Sequence, residues 1–113
     1  MEQAFLCGVT GRTFEFEAAV LGEDGSEYEL QDGDRLFFLV DRQYRNEPPL
    51  LSLIQPDTHF KVKRLELPPN QYDFEFGILF ANGDAYSIIA RKFGKLKVYG
   101  NAGEIDADAQ GQT

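Results

Sequence analysis

The chain has 113 residues, a formal net charge of −8 and 42% hydrophobic residues. This length suits one domain, and the hydrophobic share is enough for a packed core, which argues against two domains or a disordered chain. The sequence contains no apolar run of about 18 residues, and Met1-Glu2-Gln3 carries an acid where a secretory signal carries Lys or Arg. We therefore expect a soluble protein with no signal peptide or transmembrane segment.

Period-two alternation in the first third predicts half-buried strands. Between residues 14 and 20 the even positions are apolar, whereas Glu15 and Glu17 occupy odd positions, which places the two kinds of side chain on opposite faces. Asp24-Gly25 has the chemistry of a hairpin turn. A second alternating strand around Tyr28 and Leu30 is expected to follow it.

The middle of the chain predicts a central strand, a loop and two further strands. Residues 36–40 are apolar at both parities, which is typical of a strand covered on both faces, and residues 41–49 are predicted to form an exposed loop. Residues 50–54 return to the core. Phe60 and Val62 then alternate with lysines, and the alternation shifts by one position at Arg64, as a β-bulge requires.

The last third contains the strongest strand signal. Five large apolar residues occupy alternate positions from Tyr72 to Phe80, and Asn82-Gly83 predicts a hairpin into a strand over residues 86–90. Leu96 and Val98 mark a final strand. Residues 100–113 are rich in Gly, Ala, Asp and Gln and are predicted to form a disordered acidic tail after a single domain at 1–99.

These elements predict an all-β fold. Short strands separated by turn signals, without an amphipathic helix, indicate an immunoglobulin-like β-sandwich of about seven to nine antiparallel strands. The cysteine pair and tryptophan of antibody domains are missing, since the chain has one Cys and no Trp. The prediction therefore concerns architecture alone.

Few residues are candidates for chemistry. His59 is the single histidine, and it cannot form a triad with Asp57 and Thr58 by adjacency, because successive strand residues point to opposite faces. The turn acids fit no calcium-binding loop. Cys7 has no second cysteine to bond and is predicted to pack in the core. We predict no enzyme, with no catalytic residue, no cofactor and no metal site.

Charge is distributed unevenly along the chain. Residues 1–34 contain nine acids and one base, whereas residues 35–100 contain seven acids and ten bases. The net negative charge disfavours nucleic acid as a partner. The charged side chains are either solvated strand faces or a head-to-tail interface, in which the bases of one copy contact the acids of the next. The candidate interface residues are Lys61, Lys63, Arg64, Lys92, Lys95, Lys97, Glu15, Glu17, Glu27 and Glu29.

Several segments occur in an order that resembles a known family. They are Gly11-Arg12-Thr13-Phe14-Glu15-Phe16, Asp24-Gly25, Gly33-Asp34-Arg35-Leu36-Phe37-Phe38-Leu39-Val40, Leu67-Pro68-Pro69-Asn70-Gln71-Tyr72-Asp73-Phe74, and Asn82-Gly83-Asp84-Ala85-Tyr86-Ser87-Ile88-Ile89 with Phe93. Residues 8–99 resemble the small immunoglobulin-like domains of phage tail and baseplate proteins, such as the N-terminal domain of siphophage baseplate upper proteins. The resemblance implies a non-enzymatic structural module that docks on other protein subunits, copies of itself included. It also implies synthesis in the bacterial cytoplasm and assembly into a virion tail. We predict neither a nucleic-acid nor a membrane partner.

Two other functions stay open. A small-ligand or carbohydrate-binding sandwich would gather exposed aromatic residues at one end, for which Tyr44 and Tyr99 are the candidates. Tyr86 is a weaker candidate, since its alternating position fits the core better. An acidic inhibitor or decoy protein would use the acid-rich first third of the chain to imitate a polyanion.

Overall fold

The computed structural model describes residues 4–20, 25–41 and 49–105, and only the backbone of Asp41 and Arg91 within these ranges. Strands are the main regular secondary structure of the described residues, which confirms the all-β prediction. The strands are β1 (Ala4–Val9), β2 (Phe14–Glu17), β3 (Arg35–Asp41), β4 (Leu51–Gln55), β5 (His59–Val62), β6 (Asn70–Leu79), β7 (Ala85–Ile89) and β8 (Gly94–Tyr99). A 3₁₀ turn at Arg91–Phe93 joins β7 to β8, and residues 102–105 form one helical turn.

The strands form a large sheet and a small sheet. In the large sheet β1, β8, β6, β3 and β4 lie side by side in that order. β6 is long enough to pair with two strands on the side away from β3: its first half pairs with β8 and its second half with β7. The small sheet consists of β2 and β5. A hairpin turn joins the antiparallel strands β6 and β7, and in this turn Gly83 adopts a φ of 97° that favours glycine.

One pair departs from the antiparallel arrangement that the sequence predicts. β1 and β8 run parallel, with Ala4 opposite Gly94 and Val9 opposite Tyr99. These are the first and last strands, so no tight turn between them dictates their relative direction. The prediction of antiparallel strands throughout is therefore wrong for this pair.

The core lies between the two sheets and contains a cluster of aromatic rings. Phe16 and Phe60 of the small sheet stack with ring centroids 5.0 Å apart. Phe38 of the large sheet is fully buried, and its ring lies 5.0 Å from that of Phe16 and 5.1 Å from that of Phe74. The alternate positions of β6 that were predicted to be core, Tyr72 to Ile78, are buried as well.

Three local predictions are wrong. The segment around Tyr28 and Leu30 is not a strand, although both side chains pack against the core. The chain leaves β5 at Val62 and reaches the core again with Leu65 through an irregular segment, so the shift at Arg64 is not a bulge within a strand. Tyr86 is 64% exposed although it lies opposite the buried Ile78 of β6, so its alternating position does not place it in the core.

Cys7 is exposed, which contradicts its predicted place in the core. The physical reason is that β1 is an edge strand of the large sheet whose second face is uncovered, so alternate residues of its apolar sequence point outward. Phe5 on the same face is 70% exposed. The predicted loop at 41–49 and the predicted tail at 100–113 lie largely outside the described residues, and so does Tyr44.

A buried carboxylate joins two turns at one end of the large sheet. Asp34 is 4% exposed and accepts hydrogen bonds from the Tyr28 hydroxyl at 2.9 Å and from the backbone N–H groups of Gln31 and Ala81 at 3.0 Å each. The Gln31 N–H, aided by the other two donors, lowers the pKa of Asp34 below its ordinary value of 3.8, whereas burial opposes this shift. The same carboxylate raises the pKa of the Tyr28 hydroxyl.

Asp34 gives the stability of the fold a pH dependence. A carboxyl whose pKa is lower in the folded state stabilises that state fully above its unfolded pKa of about 3.9, and the contribution disappears as the pH falls through the folded value. Asp34→Asn removes the carboxylate and with it this contribution. The side-chain NH₂ group of the variant then faces N–H and O–H donors that need an acceptor. We expect the difference in melting temperature between wild type and variant to be largest near neutral pH and to shrink below about pH 4.

Thermal unfolding followed by circular dichroism between about pH 7 and about pH 3 measures this difference. Asp32→Asn is the matched control, since Asp32 is an exposed carboxylate two positions away. A difference for Asp34→Asn that stays constant across this pH range would contradict the assignment.

Candidate interaction surface

The small sheet brings together acids and bases that lie in different parts of the sequence, because β2 from the acidic first third pairs with β5 from the more basic middle of the chain. Glu15 lies opposite Lys61 in the pairing of β2 with β5, and Glu17 lies opposite His59. Glu15 Oε2 is 3.0 Å from His59 Nε2, and the Thr58 hydroxyl donates to Glu17 Oε1 at 3.1 Å. The outer face of the small sheet therefore holds charges of both signs rather than an acidic patch.

The remaining predicted interface residues do not converge. Glu27 and Glu29 are exposed in the irregular segment before β3, whereas Lys63 and Arg64 follow β5. Lys92 lies in the 3₁₀ turn with its Nζ 5.0 Å from the Phe93 ring. These side chains are solvated, but nothing in their positions makes them one surface.

Lys95 and Lys97 point from β8 to the outer face of the large sheet, on the opposite side of the molecule from Lys61. Lys95 Nζ forms a partly buried ion pair with Asp73 Oδ1 at 2.6 Å. Lys97 Nζ lies 5.7 Å from the ring centroid of Tyr99, within range of a cation–π contact. The predicted basic set is thus divided between the two outer faces.

The outer face of the large sheet carries apolar side chains that charge analysis missed. We define this outer face by the outward positions of β1, β3, β4, β6, β7 and β8. Its centre is a shallow depression of about 340 Å³. The lining residues are Phe37, Leu39, Ile54, Glu75, Leu79, Ala85 and Ser87.

Ile54 is the exposed large apolar side chain of that depression, at 49% exposed. The Ser87 hydroxyl donates to Glu75 Oε2, so one polar pair lies within the apolar lining. A second depression of about 220 Å³ lies at the β1 end of the face, where Phe5, Cys7 and Tyr99 surround the two lysines of β8. No strand or helix within the described ranges packs over this face. It is therefore an apolar surface with polar margins, which is typical of protein contact sites.

The sequence contains a signal for this face, namely the apolar residues at both parities of β3. Phe37 and Leu39 are apolar at the parity opposite to Phe38, which predicted a strand covered on both faces. The small sheet covers one face of β3, whereas no described strand or helix packs over the other face, where side-chain contacts leave Phe37 7% exposed. An apolar second face within an all-β domain was the available signal for a contact surface.

The described residues hold little that could perform chemistry. Among them, no cluster of three or more His, Cys, Asp or Glu side chains is arranged to bind a metal ion. His59 is exposed and contacts Glu15, and its backbone N–H donates to Asp57 Oδ1, an arrangement that fixes the strand start. No helix in the described ranges is long and apolar enough to span a membrane.

Comparison of the chain with protein-family models, with curated proteins and with solved structures found no significant match.

Proposed function

We propose that this protein is a non-enzymatic interaction module of immunoglobulin-like architecture that docks on other protein subunits through the outer face of the large sheet. The observation that carries the proposal is the apolar depression around Ile54 on that face, over which no strand or helix of the described ranges packs. Apolar surface left open to water costs free energy that burial against a partner recovers. Lys95 and Lys97, which line the second depression on the same face, give such a contact a polar margin.

The strand order supports an immunoglobulin-like sandwich. β2 and β5 form one sheet, as strands B and E do in that architecture, and β8, β6 and β3 are adjacent in the other, as are strands G, F and C. β4 extends the second sheet at the position of strand C′ of variable-type domains.

Two side-chain features support the same architecture. The Tyr72 hydroxyl, near the start of β6, donates to the backbone oxygen of Pro68 at 2.6 Å, the geometry of a tyrosine corner. Phe74 stands two residues later, where antibody domains have their second cysteine, and Phe38 lies on the strand that carries their tryptophan. The aromatic cluster around Phe38 supplies the bulk that a disulfide and a tryptophan supply in those domains.

The phage tail assignment is supported by the motif order described above, whose segments coincide with turns and strand starts of this fold. The Leu67–Phe74 segment contains the corner and the start of β6, and Asn82-Gly83 forms the turn into β7. On this proposal the protein is synthesised in the bacterial cytoplasm and joins a tail or baseplate assembly. Its contacts there are with protein subunits.

Ile54→Lys tests the docking surface. Tagged wild-type chain is purified from its native producer and its partner is mapped by cross-linking mass spectrometry. We expect one defined subunit cross-linked through Lys95 or Lys97, and we expect Ile54→Lys to lower its recovery at least about tenfold, because a charge in an apolar contact must be desolvated.

Tyr86→Lys is the matched control, since it exchanges another exposed apolar residue for lysine outside the depression. Recovery that is equal for the two variants would contradict docking through the outer face. Failure to recover any protein subunit, together with reproducible binding on a glycan array, would replace the proposal by the carbohydrate-binding function.

The two alternative functions have less support. Tyr86 lies opposite Ile78, near the end of β6. Tyr99 follows Val98, which lies opposite Asn70 at the start of β6. The two tyrosines are therefore at opposite ends of β6, about 26 Å apart. They do not form one aromatic platform for a sugar. The decoy function requires a purely acidic face, and Glu15 and Glu17 contact His59 and Thr58 instead.

A further inference from the structure

We propose that the subunit docked on the outer face is a second copy of this chain, related to the first by a two-fold axis. In this dimer Phe5 of each copy packs into the Ile54 depression of the other, that is, the depression of about 340 Å³ that Phe37, Leu39 and Ile54 line. The inference rests on the proposed function, because it names the occupant of the same face.

The outer face has an exposed apolar side chain at one end and an apolar hollow at the other. Phe5 on β1 is 70% exposed. It is level with Asp73 of β6, whereas Ile54 on β4 is level with Gly77. Four strands and four residues therefore separate Phe5 from Ile54, a distance of about 23 Å. Phe5 cannot reach the depression of its own chain, but a facing copy presents an equal depression.

One two-fold axis satisfies both contacts at once. The axis lies between the facing sheets, midway between Phe5 and the depression, and it brings each phenylalanine over the hollow of the other copy. From the strand and residue spacings the axis is inclined at about 45° to the strands, so the strands of the two sheets cross at about 90°. Orthogonal packing is one of the two common ways in which sheets stack. Because each copy both gives and receives a phenylalanine, the assembly closes as a dimer.

Charge at the two ends of the face is complementary. Lys95 and Lys97 line the depression beside Phe5, whereas Glu75 lines the Ile54 depression. The axis that brings Phe5 over the hollow also brings Lys95 over Glu75 of the other copy. The Lys95 ammonium has three donors, so it keeps its ion pair with Asp73 at 2.6 Å. Two chains of net charge −8 repel each other as wholes, and a face with bases and acids in near balance is where they can approach.

The size of the face sets the strength of the dimer. Five strands spaced by about 4.8 Å and overlapping over about seven residues give each copy an area of about 550 Å². The total of about 1,100 Å² is close to the lower limit of a specific interface, which is about 1,000 Å². We therefore expect a dissociation constant in the micromolar range.

Sedimentation of the purified chain between about 1 µM and about 200 µM, in about 150 mM NaCl to screen the long-range repulsion, measures this equilibrium. We expect Phe5→Lys and Ile54→Glu each to raise the dissociation constant at least about tenfold, because each places a charge in an apolar contact twice per dimer. Tyr86→Lys is the control. It also replaces an exposed aromatic residue by lysine, but Tyr86 lines neither depression, and the dimer should be unchanged.

Mixing the two damaged variants tests the two-fold arrangement itself. A mixed dimer of Phe5→Lys with Ile54→Glu has one intact contact, and at its other contact the new lysine faces the new glutamate. We expect the mixture to form dimers where neither variant does so alone. A mixture that stays monomeric would overturn the arrangement, as would a dimer that persists in Phe5→Lys or a series of species larger than a dimer.

The second-copy inference and the docking surface fail in different ways. A wild-type chain that is monomeric throughout the concentration range, but whose recovery of a different subunit is lost in Ile54→Lys, overturns the second copy and keeps the surface. Equal recovery of a partner by Ile54→Lys and Tyr86→Lys overturns the surface, and the inference with it.

Discussion

Phe38→Ala is expected to lower the free energy of unfolding by about 3–5 kcal/mol, the cost of removing a buried phenylalanine side chain. Phe38 is fully buried on β3, and four aromatic rings surround it at centroid distances of 5.0 to 6.2 Å. These rings come from both sheets, so the cavity left by alanine cannot be closed by moving one strand. A domain of this size is stabilised by about 5–15 kcal/mol in total, so the variant is expected to be partly unfolded near physiological temperature.

Urea denaturation at constant pH measures this change, with Leu39→Ala as the matched control. Leu39 is the next residue of β3 and points to the outer face, where it is half-buried. We expect its loss to cost less than half as much. Equal costs for the two variants would show that the face of β3 turned toward the small sheet is not the centre of the core.

Gly77→Ala is expected to destabilise the fold by about 3 kcal/mol and to detach β7 from β6. A Cβ atom at this position would lie 2.3 Å from the backbone oxygen of Tyr86 and 2.4 Å from the Phe37 ring. The backbone oxygen belongs to the neighbouring strand and the ring is buried, so neither yields without breaking the pairing at the register shift next to Phe76.

Hydrogen–deuterium exchange should therefore show that the β7 amides lose protection while those of β1 keep it. Gly25→Ala is the control, because its φ of 83° is costly for alanine but nothing lies within 4 Å of the added atom. We expect that substitution to cost about 1 kcal/mol. A Gly77→Ala variant with wild-type protection in β7 would contradict the close packing at this position.

The sequence predicts strands well where alternation is long and a partner is nearby. Tyr72 to Ile78 alternate over the whole of β6, and the Asn82-Gly83 turn supplies the adjacent strand. The same alternation at Tyr28 and Leu30 does not produce a strand, because Tyr28 is engaged by Asp34 and by the backbone oxygen of Val20. Local pattern reports which side chains are buried more reliably than it reports backbone pairing.

The candidate surface could be predicted in part. The apolar residues of both parities in β3 are visible in the sequence, but whether another layer packs on the second face is decided by the tertiary structure and not by this local pattern. The charge pattern was misleading for a related reason, since the pairing of Glu15 with Lys61 joins residues far apart in the chain. Such registers are set by tertiary packing rather than by local composition.

The parallel pairing of β1 with β8 has a consequence for synthesis of the protein on the ribosome. Ala4 and Gly94 are 90 positions apart, so β1 has no native neighbour until nearly the whole described chain has been translated. Closing a contact over so long a separation carries a large entropic cost and slows folding. Among the described strands, the uncharged β1 is synthesised before the others and gains its neighbour last, so the nascent chain leaves it available to other molecules for longer than the other strands.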